Sequence, residues 1–179
     1  MPILTDVLSD QPAIEVLDGR RYRKMSPRSR HGRVQGLMST ILERCGHEFG
    51  LAGTEWDFRI GVVDHTDSFF VPDAAFVRFE RIAALAPKDR EQPPIAPDIV
   101  VEVRSSKEPR SYRERKIERY LKCGSTLVLD IDPIKRIVYA HAAGGIRKYT
   151  EGERFEHDAA PWLVFDIAEA FVGLEYFPK

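Results

Sequence analysis

The sequence is poor in cysteine and nearly balanced in charge. Only two of its 179 residues are cysteines, Cys45 and Cys123, and they form no CxxC pair. Such isolated thiols argue against a disulfide framework or a zinc site and favour a reducing compartment. Because the formal net charge is only -1, bulk charge does not draw the chain to nucleic acid or to a membrane. A polyanion would have to bind a local basic patch.

Long apolar runs are also missing. No stretch approaches the ~18 apolar residues that a membrane-spanning helix needs. The opening residues, MPILTDVLSDQPAIEV, lack the basic segment followed by an apolar segment that is typical of a signal peptide. We therefore expect a cytoplasmic protein with no membrane partner.

What remains is the composition of one globular domain over residues 1–179, with 43% hydrophobic and 31% charged residues. A chain of this length buries one core but hardly two. Hydrophobic periodicity and turn signals predict two long helices and a short terminal one within an otherwise β-rich order. The predicted elements are a hairpin over 14–25 turning at Asp18-Gly19, a helix from 29 to about 49 ended by Gly50, strands over 54–63, 68–79 and 97–106, a helix over 109–123, strands over 125–131 and 136–142, a small hairpin over 144–156 and a short helix over 165–171.

An acidic residue interrupts the apolar strand PDIVVEVRSS, residues 97–106. A strand has a side-chain period of two, so Glu102 lies on the face opposite three β-branched neighbours. Two Pro-Asp pairs could supply a second carboxylate. Asp98 lies four residues away, ~13 Å at ~3.3 Å per residue, whereas a neighbouring strand lies only ~4.8 Å away. Since ligands of one hard cation must lie within a few ångströms of each other, we pair Glu102 with Asp73 of the preceding strand.

The helix over 109–123 adds a lysine. Lys116 lies between Tyr112 and Tyr120 at four-residue spacing, beside the apolar stripe that packs on the sheet. It could reach inward to the carboxylates or simply extend along the tyrosine rings. The same helix carries more basic than acidic residues, which makes it a candidate basic patch.

An acidic pair that holds Mg²⁺, with an ammonium nearby, is suited to metal-assisted hydrolysis of phosphodiesters. The metal polarises the phosphoryl oxygen and lowers the pKa of a bound water. The lysine can orient or deprotonate that water, or stabilise developing negative charge.

Several segments together resemble the PD-(D/E)XK nuclease superfamily, and more closely a bacterial restriction-endonuclease-like family formerly catalogued as a domain of unknown function. The segments that carry the resemblance are IEVLDGRRYRKMSP, SRHG, VPDAAFV, PDIVVEVRSS, ERKIERYLKCG and the DP at 132–133. The resemblance covers most of the chain. It implies an α/β fold with a restriction-endonuclease-like mixed sheet, built as an αβββαβ core plus an N-terminal β-hairpin.

The resemblance also implies roles for individual residues. Asp73 and Glu102 would bind Mg²⁺ or Mn²⁺ with the Val103 backbone carbonyl as a further ligand, and Lys116 would complete the catalytic set. Arg104 stands where the superfamily has a lysine; since arginine does not give up its proton, it either positions phosphate or only caps the strand. Other candidates for contact with nucleic acid, each of which could equally be a solvated side chain, are Arg113, Arg28, Arg30 and His31.

We expect a Mg²⁺-dependent nuclease that acts on DNA. The alternative is a catalytically inactive nuclease fold that binds nucleic acid or a protein partner. Because many superfamily nucleases cut two strands with two sites, analogy suggests a homodimer.

Overall fold

The computed structural model describes residues 14–24, 27–63, 66–106 and 108–177, the side chains of 61–63 and 66–67 excepted. In this part the strands form a six-stranded sheet, a four-stranded sheet and a two-stranded ladder. The helices and strands in chain order are β1 Ile14–Leu17, β2 Arg20–Arg23, α1 Ser29–Gly46, β3 Gly50–Thr54, β4 Phe58–Val63, β5 Thr66–Phe70, β6 Ala74–Arg78, α2 Phe79–Ala83, β7 Ile99–Val103, α3 Arg110–Lys122, β8 Leu127–Asp132, β9 Ile137–Ala142, β10 Gly145–Thr150, β11 Arg154–Phe155 and β12 Phe165–Asp166. Short 3-10 turns cover Pro87–Asp89, Ile167–Phe171 and Leu174–Tyr176.

The large sheet has the order β10-β9-β8-β7-β6-β3. Its parallel pair is β7 with β8, and all its other pairs are antiparallel. A parallel pair needs a long crossover, and α3 lies in that connection. Both β7 and β8 are buried along their whole length, which explains why they read as nearly continuous apolar runs.

The small sheet has the order β2-β1-β5-β4 and begins with the predicted hairpin. Asp18 and Gly19 both have positive φ, 52° and 71°, as a two-residue type I′ turn requires. Side chains of this sheet, including Leu17, Phe58 and Phe70, form one core cluster with α3 and the facing residues of β7.

The opposite face of the large sheet is covered by α1 and the C-terminal segment. Val34, Met38 and Leu42 of α1 belong to a second core cluster that includes Val101 and Val103. This arrangement leaves Glu102 on the α3 side of β7, because neighbouring strand residues point to opposite faces.

The predicted single strand over 68–79 is wrong. The chain leaves the small sheet after Phe70 and enters the large sheet at Ala74. Pro72 has no N–H to offer a ladder, and the Val71 N–H is taken by the Glu15 carboxylate. The strand pattern continues across the break, so periodicity alone did not reveal it.

Two other boundaries also differ from prediction. The first helix ends at Gly46, and Gly50 instead begins β3. A Cβ at Gly50 would overlap the Val77 carbonyl oxygen, so glycine is needed there for β3 to approach β6. The predicted hairpin over 144–156 does not form, because β10 pairs with β9 while β11 pairs with β12.

Residues 64–67, which separate the predicted strands over 54–63 and 68–79 and have the composition of a turn, fall partly outside the described residues. Of the helices that are described, none combines the length and the apolar character needed to cross a membrane.

Candidate active site

Asp73 lies where the chain passes from the small sheet to the large one. Ala74 pairs with Val101 in the antiparallel register of β6 and β7, so one further step places Asp73 opposite Glu102. Asp73 is 2% exposed, and its Oδ2 accepts the Val103 N–H at 2.7 Å. The predicted acid pair therefore lines one cleft, and Val103 lines it as well.

Glu102 holds Lys116 directly. Lys116 Nζ lies 2.8 Å from Glu102 Oε1 and 2.7 Å from Glu15 Oε1, and the Tyr120 hydroxyl donates to Glu102 Oε1 at 3.0 Å. Burial acts to lower the pKa of Lys116, but the charges of Glu102 and Glu15 outweigh it and hold that pKa well above its usual range. The lysine therefore reaches inward, and it does so as an ammonium.

The pKa values of the two carboxyl groups are shifted in opposite directions. Burial, with the charges of Asp73 and Glu15, raises the pKa of Glu102 to about 8 against the opposing effect of Lys116. Burial also acts to raise the pKa of Asp73, but the hydrogen bond from His31 and the charges of Lys24 and His31 bring it far below its usual range. Burial thus disfavours the charged form of Glu102, whereas the cations around Asp73 stabilise the charged form of that residue.

Glu15 is a site residue that the sequence analysis missed. It is 4% exposed and accepts the Val71 N–H at 3.1 Å and the Tyr112 hydroxyl at 2.8 Å, in addition to its contact with Lys116. One carboxylate thus ties β1 to α3. A signal existed, since the strand period places Glu15 on the same side as the buried Leu17, where an acidic residue is unexpected.

Lys24 was missed too, and His31 makes a contact that was not predicted. Lys24 Nζ lies 3.0 Å from Asp73 Oδ1, and His31 Nε2 lies 3.1 Å from Asp73 Oδ2. His31 was predicted to touch nucleic acid, and in the structure it orients the carboxylate. Nothing in the basic run around Lys24 distinguishes it from its exposed neighbours.

These residues form the floor of a cleft of about 400 Å³. We call Glu15, Lys24, Asp73, Glu102 and Lys116 the floor group. The rim on one side is basic, because Arg23, Arg28 and Arg30 also line the cleft. The segment from Gly19 to Arg33 that supplies this rim contains no acidic residue. A patch of this kind was required for any polyanion to bind, given the net charge of -1.

The floor group suits a divalent metal in charge and in donor type. Its three carboxylates, Glu15, Asp73 and Glu102, outnumber its two ammonium groups, Lys24 and Lys116. Carboxylate oxygens are the ligands that Mg²⁺ takes, one or two at a time, while keeping several waters. Among the described residues, no group of three or more His, Cys, Asp or Glu side chains is arranged to hold a metal ion. The carboxylates of Asp73 and Glu102, which line the cleft, are oxygen donors of the kind that could bind Mg²⁺ together with several waters.

Arg104 lines the cleft and Arg113 does not, and both side chains are held by Asp130. Arg104 binds both oxygens of Asp130, at 2.8 and 2.7 Å, and stacks 4.3 Å from the centre of the Tyr139 ring. Arg113 Nε lies 3.6 Å from Asp130 Oδ2, and its side chain is 13% exposed. These contacts favour a structural role for both arginines over contact with nucleic acid.

Asp98, the aspartate of the other Pro-Asp pair, is bound by Arg81 at 3.1 Å and does not line the cleft.

The profile of the Uma2 family, described as "Putative restriction endonuclease", matches residues 3–168. The chain belongs to the Uma2 family. The family predicted from the sequence is therefore confirmed. No curated protein matches the sequence significantly.

The Uma2 chain also has the expected fold. It is similar to the crystal structure of a "putative nuclease belonging to DUF820" from Anabaena variabilis ATCC 29413, with a TM-score of 0.76 and 21% sequence identity over 89% of this chain and 90% of that chain. At this identity the likeness shows the fold alone. The predicted restriction-endonuclease-like fold with a mixed sheet is confirmed.

Proposed function

We propose that this Uma2-family protein is a nuclease that uses Mg²⁺ or Mn²⁺ to hydrolyse phosphodiester bonds in DNA. The observation that carries the proposal is the convergence of Asp73, Glu102 and Lys116 on the floor of one cleft. Asp73 immediately precedes β6, Glu102 lies in β7 and Lys116 in α3, and the family is described as one of putative restriction endonucleases.

Asp73 and Glu102 would hold the metal, with the Val103 carbonyl as a further oxygen donor. The bound metal would supply a Lewis acid for the phosphoryl oxygen and a more acidic water. Lys116 remains protonated between Glu102 and Glu15, so its role is to stabilise negative charge that develops on the phosphate. Of the two roles predicted for this lysine, charge stabilisation fits its contacts better than proton abstraction.

The basic rim supports a polyanionic substrate. Arg23, Arg28 and Arg30 stand beside the acidic floor, so phosphates can bind at the rim while one of them approaches the carboxylates. Binding through such contacts weakens as salt rises. We propose DNA as the substrate and a homodimer as the form that cuts both strands, which sedimentation equilibrium would test.

The test is cleavage by purified protein of supercoiled plasmid and of labelled single-stranded DNA and RNA, with Mg²⁺, Mn²⁺ or EDTA. We expect metal-dependent nicking by the wild type and none by Asp73→Asn or Glu102→Gln. Asp98→Asn is the matched control, because it alters a buried Pro-Asp carboxylate outside the cleft. Circular dichroism confirms that each variant is folded. Cleavage that persists in Asp73→Asn would overturn the proposed site, and cleavage of RNA alone would overturn the proposed substrate.

The inactive alternative has one observation in its favour. Both Asp73 oxygens are already engaged by the chain's own donors, Val103, His31 and Lys24. Binding of DNA that needs no metal, is unchanged in Asp73→Asn and leads to no cleavage would support this alternative over the enzyme.

A further inference from the structure

Asp73 already binds a cation, the ammonium of Lys24. Nζ lies 3.0 Å from Asp73 Oδ1, while Asp73 Oδ2 accepts the Val103 N–H and faces His31. Oδ1 is therefore the oxygen that an incoming metal would share with Lys24 or take from it.

The Lys24 ammonium has a defined position between the two sheets. It donates to the Val71 carbonyl at 2.5 Å, and its side chain is 12% exposed. A second carboxylate is within reach, since Glu55 Oε1 lies 3.6 Å from Nζ. The Glu55 side chain is itself held in position, because Gln35 Nε2 donates to its Oε1 at 3.2 Å. The Glu55 backbone also has a φ of 53°, a costly conformation for a residue other than glycine, and such outliers cluster at functional sites.

The two lysines of the floor group differ in how firmly they are held. Lys116 contacts Glu102 and Glu15 at 2.8 and 2.7 Å and is almost fully buried. Lys24 has one carboxylate at close range and a second one farther off, and it is more exposed. A positive charge that competes for Asp73 would therefore displace Lys24 and leave Lys116 in place.

We propose that Lys24 is a resident cation of the active site, which neutralises Asp73 until a divalent metal displaces it, and that Glu55 receives the displaced ammonium. The inference rests on the proposed function, because it requires Asp73 to be a metal ligand. Its physical basis is that two cations repel strongly at one oxygen in a buried, weakly screened site. Without the lysine, Asp73 and Glu102 would oppose each other as neighbouring negative charges.

Calorimetric titration of the full chain with MnCl₂, without DNA, tests the exchange. Lys24→Gln should tighten Mn²⁺ binding about tenfold or more, because a competing charge is removed. Lys122→Gln is the control and should leave the affinity unchanged, since Lys122 pairs with Glu118 on the outer surface of α3. Lys24→Met, which keeps the packing of the aliphatic stem, is the second variant if Lys24→Gln does not fold.

Glu55→Gln tests the second half of the proposal. In the wild-type background it should weaken Mn²⁺ binding, because the displaced ammonium loses its acceptor. In the Lys24→Gln background it should have a much smaller effect, and this coupling separates relocation of Lys24 from a general loss of negative charge.

Thermal unfolding gives a readout that does not depend on activity. Metal-free Lys24→Gln should melt below the wild type, and saturating Mn²⁺ should raise its melting temperature by more than that of the wild type. A purely structural ion pair would lower the melting temperature without any gain in metal affinity.

Two results would overturn the inference and leave the proposed function standing. The first is that the wild type binds Mn²⁺ through Asp73 but Lys24→Gln leaves this affinity unchanged or weakens it. The second is that Glu55→Gln changes the Mn²⁺ affinity equally in the wild-type and Lys24→Gln backgrounds. A third result would overturn the proposed function as well. It is that Asp73→Asn abolishes no Mn²⁺ binding, either in the wild-type background or in the Lys24→Gln background, so that Asp73 is not a metal ligand. Tighter binding by Lys24→Gln that Asp73→Asn abolishes would support both.

Discussion

The ion pair of Arg104 with Asp130 allows a direct test of whether this arginine serves the scaffold or the substrate. Removing one partner of a buried pair costs ~3–5 kcal/mol. The expected cost is smaller here, because the Arg104 side chain is 21% exposed and Asp130 keeps Arg113 and His141 at 3.6 and 3.8 Å. We expect Arg104→Met to lower the free energy of unfolding by about 2 kcal/mol, measured by urea denaturation. For a domain of this size that corresponds to a fall of ~4–8 °C in Tm.

The pH dependence of that loss follows from Asp130. Burial acts to raise its pKa, but the hydrogen bond from Arg104, the neighbouring His141 and the charges of Arg104 and Arg113 outweigh burial and lower it. A carboxyl whose folded-state pKa is depressed contributes stability above its unfolded pKa of ~3.9 and loses it as pH falls through the folded-state value. The difference in unfolding free energy between wild type and Arg104→Met should have its maximum value between about pH 6 and 8 and should decrease below about pH 4.

A double variant and a binding assay complete the test. Arg104→Met with Asp130→Leu should recover part of the stability, because no uncompensated carboxylate is left buried. DNA affinity per folded molecule should be unchanged in Arg104→Met. A loss of stability below about 0.5 kcal/mol, or a clear loss of DNA affinity in folded protein, would refute the structural role and restore the phosphate contact considered from the sequence.

Two further substitutions test the packing around the site. Gly50→Ala should destabilise the fold severely, because its Cβ would overlap the Val77 carbonyl oxygen, whereas Gly36→Ala in α1 meets nothing within 4 Å and should stabilise by about 0.5–1 kcal/mol. Urea denaturation compares the two, and a tolerated Gly50→Ala would contradict the close approach of β3 to β6. Tyr120→Phe removes the hydroxyl that donates to Glu102 and should cost about 1 kcal/mol of unfolding free energy. An unchanged value would mean that this hydrogen bond contributes nothing to folding.

Much of the framework could be predicted from local patterns. The Asp18-Gly19 turn, α3 and the strands β7 to β9 follow from turn chemistry and periodicity, which involve residues only a few positions apart. The same reasoning paired Asp73 with Glu102 and placed Lys116 beside the face of α3 that packs on the sheet, because strand period and helix spacing fix the face on which each side chain lies. The break at Pro72 was not found, since the apolar pattern continues on both sides of it.

The sequence by itself determined the family, the class of fold and the faces on which the acidic pair and its lysine lie. Only the tertiary structure decided which charges meet. Glu15 reaches Lys116, Lys24 reaches Asp73 and Arg104 reaches Asp130. These choices depend on how the hairpin, the two sheets and α3 pack, often across long stretches of chain, as in the bond between Glu15 and Tyr112, 97 positions apart. A charged side chain looks the same in the sequence whether it is solvated or buried against a partner, and the free energy of its contact exists only once the fold has brought that partner to it.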